Sequence, residues 1–172
     1  MKELFEFFGQ IGALSLVSKL ADFHGLLAMI SLILFGAAIV LFFVALKISS
    51  ALRWLGAVLF ALFLDLVLLD IAGLVIYISY RAPGGPRSIL RASESTAWLH
   101  TTVFEHKEFL AFAPPILILC ALYIVRTLKN ASFTEQSLKW PRISIIVSII
   151  LSLIFVLVVA AEAVLVTKTA PL

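Results

Sequence analysis

The sequence predicts an all-α integral membrane protein: a four-helix bundle with an additional interfacial helix at its N-terminus. Three observations predict it. Of the 172 residues, 63% are hydrophobic and only 13% are charged, about half the charged share that a soluble domain uses to cover its surface. The mean hydropathy is +1.16. Four apolar stretches, each near the roughly 20 residues that cross a hydrocarbon core of about 30 Å, alternate with polar or turn-forming segments.

Residues 4–20, LFEFFGQIGALSLVSKL, are apolar but short, and they carry Glu6, Gln10 and Lys19. They read as an interfacial helix anchored by Phe5, Phe7 and Phe8. Lys2 followed by Glu3, and Glu6 interrupting the apolar run, do not read as a cleaved signal peptide. Span one is expected at about 25–46, without internal charge, and with Gly36, Ala37 and Ala38 as a small patch for a close neighbour. The short turn KISSALR forces the next span to lie antiparallel beside it.

Span two is expected at about 54–80, with Trp54 at one interface and Tyr77 and Tyr80 at the other. RAPGGPR at 81–87 cannot continue a helix. Span three is expected at about 108–126, entered either through a capping box of Thr102 and Glu105 or by a helix that starts earlier, near Ser93 or Ser95, and with a kink at Pro114 and Pro115 whose freed carbonyls a neighbouring helix satisfies. Span four follows at about 143–166. Residues 1–172 thus form a single membrane domain, with lipid as one partner and other membrane subunits or a second copy as others. No basic stripe points to nucleic acid, and no nucleophile elbow, phosphate loop or paired-cysteine motif points to an enzyme acting by itself.

Four spans put both termini on one side. The loops 47–53 and 126–142 hold six of the 13 basic residues in two compact segments, against seven spread over the other side. Density in short loops favours a cytoplasmic position for the former, hence a multi-pass cell-membrane protein with both termini outside.

The polar residues are arranged asymmetrically. All three histidines fall on the face that holds the termini: His24 at the start of span one, His100 and His106 at the start of span three. Spans one and three run parallel, so His24 and His106 can face each other across a bundle. Two neutral imidazoles on facing helices suit the axial positions of a haem iron, and Arg81, Arg87, Arg91 and Lys107 are near enough to pair with propionates. Alternatively His24 and His106, with Glu105, Glu108 and His100, suit a transition metal ion. His100 and His106 stand about 240° apart on an ideal helix, so one unbroken helix cannot aim both at one point.

Asp65, Asp70 and Glu162 form a third group. Glu162 lies about 6 Å inside the histidine face and Asp70 about 15 Å, at 1.5 Å per residue. A carboxyl at a helix centre costs about 2.5–3.5 kcal/mol, and less for Glu162, which is near an end. It marks either a proton path or ion site, or a protonated group bonded to a neighbouring helix.

The strings DFHGLLAMI around His24 and LHTTVFEHKEF around His100 and His106 give a pattern that resembles small membrane cytochromes of the b type, and four-span families with a histidine at the head of one span and others near the head of a later one. The resemblance implies a haem b and a role in electron transfer, alone or as a subunit of a membrane redox complex. Histidine pairs deep within two spans, seen in better-known members, are absent here, so it extends to one haem. Two other readings stand beside it: a non-catalytic accessory subunit of a respiratory-type complex, and a small proton- or ion-coupled transporter using Asp70 and Glu162.

Overall fold

The computed structural model describes residues 15–128, 133 and 135–170. Every regular element among them is helical. Helix α1 spans Leu16–Ala45, opened by Ser15, whose hydroxyl accepts the Ser18 N–H at 3.1 Å and so satisfies one orphan donor of the first turn. Of the interfacial helix expected at 4–20, residues 4–14 lie outside the described residues. Leu16–Leu20 run without a break into the first span. Lys19, Asp22 and His24 add polarity there but nothing that stops a helix. The rod is 30 residues long, about 45 Å, and His24 stands two turns inside it rather than at its head.

A turn at 46–50 reverses the chain into α2, Ala51–Arg81. Gly84 then takes φ of +77°, a conformation costly for any residue with a Cβ. A Cβ on Gly85 would stand 2.6 Å from the Ser79 carbonyl oxygen, so the chain folds tightly back over the end of α2. Pro86 opens α3, Pro86–Arg91, where its missing N–H costs nothing.

The third rod is a composite. It comprises α4, Glu94–Trp98, a π-helical turn at Leu99–Phe104, α5, Glu105–Ala111, and α6, Ala113–Thr127. It begins at Glu94 with Ser93 at its N-cap, the earlier of the two starts the sequence allows. Thr102 lies within the π-helical turn, and Phe104, at the N-cap of α5, makes no side-chain cap, so the expected capping box is not formed. The helix continues through this point and leaves no free N–H to cap. The break falls at Phe112, one step before the two prolines. Ser152 donates to the Pro114 carbonyl at 3.2 Å, not to the carbonyls of Leu110 and Ala111 that the prolines leave without their usual donors. A 3₁₀ turn, Gln136–Leu138, leads into α7, Lys139–Thr169.

Four helical rods of 30 to 34 residues are therefore long and apolar enough to cross a membrane. Each buries one stripe. In α1 it runs Leu27, Ser31, Phe35, Ala38, Phe42, Ala45; in α2 Leu52, Leu55, Leu59, Leu62, Leu66; in α7 Ile145, Ile149, Ser152, Val156. Steps of three and four, alternating in α2 and α7 and from Ser31 onward in α1, are the spacing of a left-handed bundle. The outer faces stay apolar too: Ile33, Phe43, Ile78, Ile116 and Val147 are all exposed. A helix apolar all round suits lipid. Around the bundle the order is α1, α2, α6, α7, with α7 returning to touch α1, so the first and third rods stand diagonally.

A polar cluster at one end of the bundle

The C-terminal end of α2, the π-helical turn, α5 and the last turns of α7 meet on one face. Their contacts join two networks.

The first is centred on His100, which is buried. Arg87 donates through Nε–H to His100 Nε2 at 3.2 Å, and His100 Nδ1 lies 3.0 Å from the Tyr80 hydroxyl. A guanidinium has no acceptor, so Nε2 must be unprotonated. The ring is then the neutral tautomer with its hydrogen on Nδ1, which donates to Tyr80. Both nitrogens are engaged, and neither is open to a metal. Tyr80 stacks on Phe104 with centroids 3.9 Å apart and planes 5° from parallel, and Tyr77 stacks on Phe104 at 5.8 Å. Arg81 covers Tyr77 at 4.7 Å and Lys107 covers Phe104 at 5.1 Å. These cations rest on aromatic faces. His100 and Phe104, four residues apart, share one face of the third rod, and both meet Tyr80 of α2.

The second network runs between helices. His106 Nδ1 lies 2.7 Å from Glu162 Oε1. The other oxygen, Glu162 Oε2, is buried and has no hydrogen-bond partner among the described residues. Lys107 stands near the carboxyls of Glu108 and Glu162 and its charge is felt at His24. Glu108 in turn lies beside the Tyr77 hydroxyl. His24 Nδ1–H donates to the Leu69 carbonyl at 3.1 Å, and its ring fills the space over Gly73, where a Cβ would meet Cε1 at 3.4 Å. Ionisable groups from α1, α5 and α7 thus lie within electrostatic reach of Lys107.

The sequence-derived candidates divide accordingly. His24, His100, His106 and Glu162 all belong to this end, and Arg87 joins His100. Arg81 sits on Tyr77, and Arg91 is exposed. His24 turns toward α2 and His106 toward α7; among the described residues no hydrogen bond or ion pair joins the two imidazoles. Nor does any group of three or more His, Cys, Asp or Glu among those residues come together as a metal site. The donor chemistry nonetheless suits a ligand role, because an imidazole held through Nδ1 by a carbonyl or carboxylate keeps Nε2 for a metal. The acids lie deeper. Asp65 is buried and accepts from the Ser31 hydroxyl at 2.5 Å. Asp70 has no hydrogen bond or ion pair among the described residues and lines an apolar cleft with Phe63, Val67, Phe112 and Pro115.

Tyr77, Tyr80 and Phe104 were not legible as site residues. Two tyrosines at a span end read equally well as an interfacial belt. The signal available was their spacing of three, which puts both rings on one helix face.

Fold and site together define a polytopic α-helical membrane protein with a titratable cluster at one end. No family model, curated protein or solved structure matches the chain.

Proposed function

We propose that this protein moves protons, as a small proton- or ion-coupled transporter, with Glu162 as the group that exchanges the proton. One observation carries the reading: Glu162 holds His106 through one carboxyl oxygen while the other is buried without a partner among the described residues. An unsatisfied buried acceptor calls for an occupant, and a proton, a water or a small cation is what a carboxylate takes. Lys107 and His106 beside it supply donors at two distances, and His24 continues the line toward the middle of α2. Polar groups at such depth are expensive and are kept for ion or proton pathways. The density of basic residues in the opposite loops favours the outer face for the cluster.

The test is proton flux in proteoliposomes under a potassium–valinomycin potential, read by an internal pH dye. Glu162→Gln should lower the flux by about tenfold or more, as loss of a proton-transferring group does. Wild-type vesicles no faster than empty ones, or a Glu162→Gln variant as fast as wild type, would reject it.

A second reading has its own observation. His24 and His106 each present Nε2 while Nδ1 is anchored, the arrangement of imidazole ligands to a haem b or a metal ion. A bound haem would supply one-electron chemistry; the protein's part would be to hold it through those two rings, with Arg81, Arg87 and Arg91 at the same end of the bundle as cations that could pair with its propionates. A Soret band in the purified protein that vanishes in both His24→Ala and His106→Ala would favour this reading over the first.

A further inference from the structure

At the opposite end of the bundle, where α2 begins and α6 ends, a cleft of about 800 Å³ is lined by Ser49, Ser50, Leu52, Arg53, Gly56, Ala57, Phe60, Val125 and Arg126. Its two cations come from different helices. The Arg53 guanidinium rests on the Trp54 ring at 5.7 Å and that of Arg126 on the Phe60 ring at 5.5 Å. Neither has a carboxylate partner among the described residues, whose one ion pair is His106–Glu162, and no acid lines the cleft. Two hydroxyls complete the polar wall. The other wall is apolar and close-set: a Cβ on Gly56 would stand 3.4 Å from Val125 Cγ1.

The apolar wall of the cleft, Leu52, Gly56, Ala57 and Phe60 of α2 with Val125 of α6, runs for eight residues of helix, about 12 Å, within the depth of one leaflet. The separate cleft that Asp70 lines, from Phe63 to Leu74, begins about 15 Å from Arg53 and belongs to the far leaflet. A groove with unneutralised guanidiniums and hydroxyls at the level of the headgroups, and an apolar wall below them in the same leaflet, has the chemistry of one amphiphile.

We infer that this groove binds an anionic phospholipid, its phosphodiester held by Arg53, Arg126, Ser49 and Ser50 and an acyl chain lying along the α2–α6 seam. Planar guanidinium forks match phosphate oxygens, and basic residues at the membrane surface each strengthen association with anionic lipid.

The experiment is thermal unfolding of the full chain in detergent micelles, titrated with phosphatidylglycerol, with phosphatidylcholine of the same acyl chains, or with inorganic phosphate. Phosphatidylglycerol alone should raise the melting temperature in a saturable way, because a ligand that binds only the folded state stabilises it. Arg53→Gln with Arg126→Gln should weaken the apparent affinity about 30-fold, roughly fivefold for each lost charge. Lys139→Gln with Arg142→Gln, outside the cleft but on the same side of the bundle, should leave it intact. Both arginines are exposed, so the double variant should keep its helical circular dichroism and its melting point in phosphatidylcholine. Equal stabilisation by phosphatidylcholine would overturn the inference. So would stabilisation by inorganic phosphate alone, which marks an anion site without a lipid, or full retention of the effect in the double arginine variant.

Discussion

Tyr80 has two separable roles. Its ring covers Phe104, and its hydroxyl receives the His100 Nδ1–H. Tyr80→Phe keeps the first and removes the second, leaving a buried donor unpaired. We expect a loss of about 1 kcal/mol, between the value for a buried hydrogen bond and the smaller average found within membranes. Tyr80→Ala removes both and should cost about 3 kcal/mol or more. Unfolding in a denaturing detergent, followed by circular dichroism, separates the two. Equal losses would mean that the hydroxyl, not the stack, holds the end of the bundle together. Gly85 is constrained by backbone rather than by side chains: its missing Cβ leaves room for the carbonyls of Ser79, Tyr80 and Ala82. The sequence shows Gly84 and Gly85 as a turn, but not that the turn carries Arg87 back onto His100.

At the scale of an element, α1 shows how a membrane helix divides its apolar residues. Phe42 and Phe43 are adjacent and chemically identical. Phe42 is 4% exposed and meets Phe133 edge-to-face at 5.9 Å, while Phe43 is 55% exposed. Phe42→Ala should open a cavity and destabilise by about 3 kcal/mol; Phe43→Ala, facing lipid, should change stability by less than about 0.5 kcal/mol. Comparable losses in the same detergent titration would contradict the assignment of the two faces. The sequence told spans from loops because length and hydropathy decide that alone. It did not tell the inner face from the outer, because lipid leaves no polar side to mark it. The same ambiguity displaced two helix starts. Polar residues at 18–24 and 94–108 read as boundaries, yet Lys19, His24, His100 and Lys107 are accommodated within continuous rods, and His24 and His100 are held by groups from other elements. Asp65 was visible as a costly acid; Ser31, its partner, was one serine among apolar neighbours, and only antiparallel packing brings the two level.

For the whole molecule, the order α1, α2, α6, α7 with antiparallel neighbours fixes which ends share a side. Ser15 and Thr167 lie at the end that holds the polar cluster, Ser50 and Ser137 at the end that holds the arginine cleft. An even number of crossings leaves no other arrangement, because backbone within lipid must stay helical from one interface to the other. Cys120 is the one native cysteine, so a Cys120→Ser background accepts single cysteines at these four positions. A membrane-impermeant maleimide added to sealed, right-side-out vesicles should label Ser15→Cys and Thr167→Cys as one pair, and Ser50→Cys and Ser137→Cys only after permeabilisation, if the basic loops face the cytoplasm. The reverse pairing would keep the bundle and invert the direction in which Glu162 meets its proton. Labelling of Ser15→Cys together with Ser137→Cys would break the four-span arrangement itself, and with it the placement of His24, Lys107 and Glu162 at a common depth.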